Sequence, residues 1–150
     1  MKNYFAIVLC LCIAAGILAL TLQSAEGTTE LTVSVLEKLS GLLRKMGVPE
    51  EKISAAWWNN ARNIRKAAHT AEYLLLGVAA GILFMHDRNG FLKAFLLCAL
   101  ISFADQCIKG LLPTREFDWT DFPYDIAGYT VGIVCGKCIN NIVFKSEKPL

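Results

Sequence analysis

His69, Glu72 and Tyr73 stand at i, i+3 and i+4, so on a helix they share one face. Asp105 and Lys109 stand at i and i+4 and can pair. Asp118, Asp121 and Asp125 follow Arg115 at steps of three, three and four. On a helix starting near Asp118 these carboxylates also share a face. Arg65 and Lys66 lie one turn before His69. An imidazole that titrates near neutral pH can carry protons, and carboxylates can act as its partners. That makes His69, Glu72, Asp105 and Asp121 the catalytic candidates. Arg and Lys can instead hold anionic groups, Arg through paired hydrogen bonds, while carboxylates orient the cations and accept from sugar hydroxyls. The candidate ligand-binding set is Arg65, Lys66, His69, Glu72, Tyr73, Asp105, Lys109, Arg115, Asp118, Asp121 and Asp125. For any one of these residues the plainer reading is an ion pair that holds helices together. A carboxylate-rich site suits divalent cations in principle. No metal ligand set is assigned, and no cofactor is expected.

The elements that must position these groups are apolar. In 150 residues the hydrophobic set is 55%, charged residues are 19% and the formal net charge is +2; mean hydropathy is +0.45. This composition excludes intrinsic disorder and argues against an ordinary soluble enzyme. The charge is too small to imply nucleic-acid binding. The apolar residues gather into four runs: Tyr4 to Leu22, Ala67 to Met85, Phe91 to Ile108 and Phe122 to Phe144. At about 1.5 Å per residue, runs of this size suit a hydrocarbon core of ~30 Å. Unsatisfied backbone cannot face lipid, so helices are the expected spanning form. The fold expected is an all-α, integral membrane four-helix bundle. It comprises a first transmembrane helix (1–22), an extracytoplasmic amphipathic helical segment (23–66) and a three-helix core (60–145). Membrane lipids are the expected partners. A cleaved signal peptide is the rival for the first run, but the run is long and Leu22-Gln23-Ser24 is a poor cleavage site.

Within the connecting segment Leu31, Val35, Leu39, Leu42, Leu43 and Met46 mark one apolar helix face. Gly47 sits where a C-terminal cap belongs. Pro49-Glu50-Glu51 reads as a new helix start, expected to run through Trp57 and Trp58 into the second span. This segment is either a hairpin packed on the bundle or a lid over a site. Lys2 precedes the first span, and Glu26 and Glu30 follow it with no cation until Lys38, which favours cytoplasmic N- and C-termini. The Lys and Arg count over all connections opposes that orientation. With the N-terminus inside, His69, Glu72, Asp105, Lys109, Arg115, Asp121 and Asp125 all fall at the outer surface. A charge near the bilayer centre costs at least ~2.5–3.5 kcal/mol, so such groups must face one another or a wet cleft.

Gly77 and Gly81 are four apart, as are Gly128, Gly132 and Gly136, which lets membrane helices approach closely. Cys135 and Cys138 form a lone CxxC, read as incidental thiols rather than a redox or metal pair. Phosphate-loop, HExxH, nucleophile-elbow and nucleic-acid signatures are absent from the sequence.

Arg65-Lys66-x-x-His69-x-x-Glu72-Tyr73-x-x-Leu76-Gly77 resembles the first signature block of the VanZ-like family. Asp105-Gln106 through Lys109, then Pro113-Thr114-Arg115, resembles its second block. Asp118, Asp121, Asp125, Gly128 and Gly132 resemble its third. Three departures stand out: Gln106 where many members carry Glu, Lys109 where many carry Gln, and Thr114 for the Gly before the arginine. The resemblance implies a bacterial cytoplasmic-membrane protein of the cell envelope. The family takes its name from a protein associated with low-level teicoplanin resistance. It implies an envelope lipid, glycan or glycopeptide antibiotic as ligand; the alternative is an intramembrane enzyme acting on a lipid-linked substrate.

Overall fold

The computed structural model describes residues 2–23, 25–56, 59–84, 87–113 and 117–144. Among the described residues the chain forms six helices and no strand: α1 (Lys2–Thr21), α2 (Ala25–Lys45), α3 (Glu50–Ser54), α4 (Ala61–Leu83), α5 (Gly90–Leu111) and α6 (Phe122–Phe144). Among the described residues two helices are long and apolar enough to cross a membrane. They are the stretch Tyr4–Thr21 in α1, mean hydropathy 2.5, and Gly90–Leu111, mean hydropathy 1.7.

The ends of α2 and α4 follow from local chemistry. Gly47 adopts φ 80°, the left-handed region that favours glycine. Its N–H donates to the Arg44 carbonyl, and the Val48 N–H donates to the Leu43 carbonyl, closing a Schellman cap on α2. Arg44 and Glu50 pair across this turn at 2.5 Å. The mutual pairing raises the Arg44 pKa and lowers that of Glu50. The expected continuous helix from Pro49 into the second span does not form. The Asn59 side chain donates to the Ser54 carbonyl, and the Asn60 side chain accepts from the Arg62 N–H, so one helix closes and another opens. Trp57 and Trp58 lie outside the described residues, as do Ser24 and the chain after 144. Asn60→Ala should cost about 1 kcal/mol, the usual loss for an N-cap, read as a lower melting temperature in detergent.

The centre of the fold is the contact between α4 and α6. A side chain on Gly128 would meet the Thr70 carbonyl and Leu74 backbone, one on Gly132 the Leu74 and Val78 backbone, and one on Gly136 the Val78 backbone. Gly77 and Gly81 lie in the same way against the backbone of Tyr129 and Ile133. Positions rise together on both helices, so α4 and α6 run in the same direction. Small residues at four-residue spacing let the two backbones touch. α5 runs the opposite way along α6, with Ser102 opposite Asp125 and Gln106 opposite Asp121. α1 packs on α4 and α5, and its last residue, Thr21, meets Asp105. α2 lies across α4. Tyr73, Leu76, Cys98, Tyr129 and Ile133 form the core, with the Phe95 ring edge-on to Tyr129 at 5.0 Å.

This arrangement brings the C-terminal ends of α1 and α5 together with the N-terminal ends of α4 and α6. Two of the charges at that end match the helix dipoles. Asp125 sits in the first turn of α6, the positive end, and Lys109 in the last turn of α5, the negative end.

Candidate functional site

On α5, Ser102, Asp105, Gln106 and Lys109 recur at three- and four-residue steps, and all four are buried. Lys109 is the hub. Its Nζ lies 2.7 Å from Asp105 Oδ2 and 3.8 Å from Asp121 Oδ2, and 3.5 Å from His69 Nε2. His69 Nδ1 lies 3.4 Å from Glu72 Oε2, and His69 Nε2 lies 4.0 Å from Asp121 Oδ2. The Thr21 hydroxyl donates to Asp105 Oδ1. Asp105 thus receives an ammonium on one oxygen and a hydroxyl on the other.

Asp125 lies deeper. Ser102 Oγ donates to its Oδ2 at 2.7 Å, and its Oδ1 has no hydrogen-bond partner among the described residues. Tyr73 is fully buried, with Asp105 and Asp125 near its hydroxyl. The structure therefore gathers His69, Glu72, Tyr73, Asp105, Lys109, Asp121 and Asp125 at one end of the bundle.

The remaining candidates are arranged differently. The three carboxylates do not share one helix: α6 starts at Phe122, as the apolar run predicts, and the Tyr124 and Asp125 N–H groups both donate to the Asp121 carbonyl. The reason is a local side-chain turn in which Asp118 Oδ1 accepts from the Thr120 N–H at 2.8 Å. Asp118 is exposed. Hydrogen bonds from the Thr120 hydroxyl and backbone hold its pKa below the usual carboxylate range. That anchoring is present at neutral pH and is lost as pH falls through the lowered value. Lys66 Nζ donates to Thr120 Oγ1 at 3.2 Å and lies 4.7 Å from the Tyr124 ring centre. Arg65 turns toward α2, where Nη2 meets Thr29 Oγ1 at 3.4 Å. Thr114 and Arg115 lie outside the described residues.

Sequence reasoning missed two members of the cluster, Thr21 and Ser102, and named Gln106 only as a departure from the family block. Ser102 and Gln106 left a signal, because they share the helix face of Asp105 and Lys109. Thr21 left none, since it is the last residue of an otherwise apolar helix. Gln106 is fully buried. Its amide nitrogen donates to Asp121 Oδ2 at 3.3 Å while its oxygen accepts from the Asp118 N–H at 3.4 Å. An ionised Glu accepts but cannot donate. The amide here ties the entry of α6 to α5 without adding another negative charge.

A cleft of about 180 Å³ opens beside this cluster, between α1, α2 and α4. Thr21, Arg65, His69 and Glu72 line it, and Leu20, Leu31, Val35 and Ile64 make it largely apolar. The site therefore offers a guanidinium, an imidazole and a carboxylate to a ligand, with apolar walls around them.

The family whose model matches the chain is described as VanZ/LLP1, and the match covers residues 5–140. No curated protein and no solved structure matches the chain.

Proposed function

The chain belongs to the VanZ/LLP1 family, and on that premise we propose that it is a bacterial multi-pass envelope membrane protein whose polar end binds the anionic head group of an envelope lipid or glycan. A contribution to teicoplanin-type glycopeptide resistance would follow from that binding. The observation that carries the reading is the amphiphilic cleft set against a buried ion network. Lys109 is occupied by Asp105 and Asp121. Arg65 and His69 are the cleft residues suited to an anion. The carboxylates hold the network and accept from head-group hydroxyls.

Four spans are part of this proposal. Exposed apolar residues occur on each of the four proposed spans: Phe5 and Leu11 on α1, Leu75 on α4, Leu100 and Phe103 on α5, Val131 and Val134 on α6. Surfaces of this kind are unusual in a water-soluble monomer. The charges that lower the hydropathy of α4 and α6 are placed where lipid tolerates them. Arg62, Arg65 and Lys66 lie at the start of α4. Asp125 is buried, and Lys137 Nζ lies 5.4 Å from the Phe91 ring centre. With the N-terminus in the cytoplasm the cleft faces the outer leaflet.

The test is titration of the full chain, purified in a non-ionic detergent, with hexadecyl phosphate. Arg65→Ala should weaken binding about tenfold, the value of one charged hydrogen bond. Equal affinity of the two proteins removes the head-group reading. A catalytic reading has one observation behind it: His69 and Glu72, suited to proton transfer, both border the cleft. Turnover of a lipid-linked pyrophosphate that is lost in His69→Gln would favour catalysis over binding.

A further inference from the structure

A second cavity lies on the far side of the Thr21–Asp105 hydrogen bond. It is a groove of about 160 Å³ between α1 and α5, walled by Ala14, Ile17, Leu18, Ile101, Ala104 and Ile108, with Asp105 its polar member. Thr21 lines the cleft and Asp105 lines the groove, so this one hydrogen bond has a partner on each side. Beyond Asp105 the groove offers no polar group.

We propose that the cleft and the groove are two halves of one amphiphile site, in which an anionic lipid places its head at Arg65 and His69 and lays one hydrocarbon chain along the α1–α5 groove. This inference rests on the head-group reading and adds the class of ligand: a phosphate-headed lipid with a long chain rather than a free sugar or a soluble anion. Three observations point to a chain as the occupant. The walls are aliphatic, so hydrogen bonding cannot select what enters. Leu18 and Ala104, at the groove's margin, are exposed to the surroundings, so a chain has lateral access. The polar end adjoins the cleft and lies at the same end of the bundle, as the geometry of a single lipid requires. The Thr21–Asp105 contact is the joint between head and chain, and it keeps the buried carboxylate bonded while hydrocarbon passes beside it.

The experiment compares hexadecyl phosphate with butyl phosphate on the full chain in the same detergent. Each buried methylene is worth about fourfold in affinity, so the long-chain probe should bind at least about tenfold tighter. Ala104→Phe fills the groove from α5, and Ala14→Phe fills it from α1. Either should remove that advantage while leaving butyl phosphate affinity unchanged. Arg65→Ala should weaken both probes alike. Monodisperse elution and an unchanged helical spectrum confirm folding, and the second groove variant serves if the first fails this check. If both groove variants keep the long-chain advantage while Arg65→Ala weakens both probes, the groove assignment is overturned and the head-group reading stands. If Arg65→Ala changes neither probe, both are overturned. Equal binding of hexadecanol and hexadecyl phosphate would show a chain site without an anion site, and would also overturn the proposal.

Discussion

Lys109→Met is expected to destabilise the protein by about 3–5 kcal/mol, the range for breaking a buried ion pair from one side. The side chains of Lys109 and Asp105 are only 5% and 2% exposed. Removing the ammonium leaves Asp105 with the Thr21 hydroxyl and leaves Asp121 with the Gln106 amide and a distant imidazole. The Asp105 carboxylate is too deeply buried to regain its hydration without opening the end of the bundle. The effect should be read as a lower melting temperature in detergent and reduced abundance in membranes. The double variant Lys109→Met with Asp105→Asn should recover a large part of the loss, because it removes the uncompensated charge as well as the cation. A double variant as unstable as the single one would show that Lys109 acts through packing of its aliphatic stem instead.

Gly132→Leu is the second large effect. A side chain at this position meets the Leu74 carbonyl and Val78 backbone of α4. Backbone cannot rotate out of the way as a side chain can, so the helices must separate along the contact that orders Thr70, Leu74 and Val78 against α6. Overpacking of this kind costs about 1–3 kcal/mol in a core that can relax, and the loss here should reach or exceed the upper end. The variant should melt earlier and bind hexadecyl phosphate more weakly, since α4 carries Arg65, His69 and Glu72. Gly16→Ala is the control. Nothing lies within 4 Å of a side chain there, and alanine in a helix interior gains about 0.5–1 kcal/mol over glycine. Gly16→Ala should therefore melt at the same or a higher temperature. Equal losses in the two variants would mean that glycine matters for flexibility and not for contact.

The two results separate different parts of the fold. Lys109 tests whether the polar end is held by charge. Gly132 tests whether the helices that deliver those charges are held by backbone contact. A protein whose cluster were only a by-product of helix packing would respond to Gly132→Leu and tolerate Lys109→Met.

Much of this organisation was legible in the residue order. The run from Phe122 to Phe144 coincides with α6, and the glycine spacing marked surfaces able to approach closely, which the fold brings together between α4 and α6. The i, i+4 step from Asp105 to Lys109 became an ion pair, and Gly47 became a cap. These are local consequences: a helix repeats every 3.6 residues, and a left-handed turn needs glycine. The membership of the site was less legible. Arg65 and Lys66 are neighbours in sequence, yet one turns to α2 and the other to Thr120. Asp118 and Asp121 stand three apart, yet one is exposed in a turn and the other reaches His69, Gln106 and Lys109. The choice between them depends on where α6 begins, which a side-chain turn at Thr120 decides.

Spacing along the chain determined which groups share a helix face, which end of each helix carries charge, and where small residues permit close approach. It left open which faces meet. That was decided by the rotation and direction of whole helices, which depend on backbone contacts between residues far apart in sequence. The placement of α2 against α4 that makes the cleft, the hydrogen bond from Thr21 to Asp105, and the convergence of His69, Lys109 and Asp121 are products of tertiary packing. The reason is that periodicity specifies angles about a helix's own axis, whereas a site requires the distances between axes.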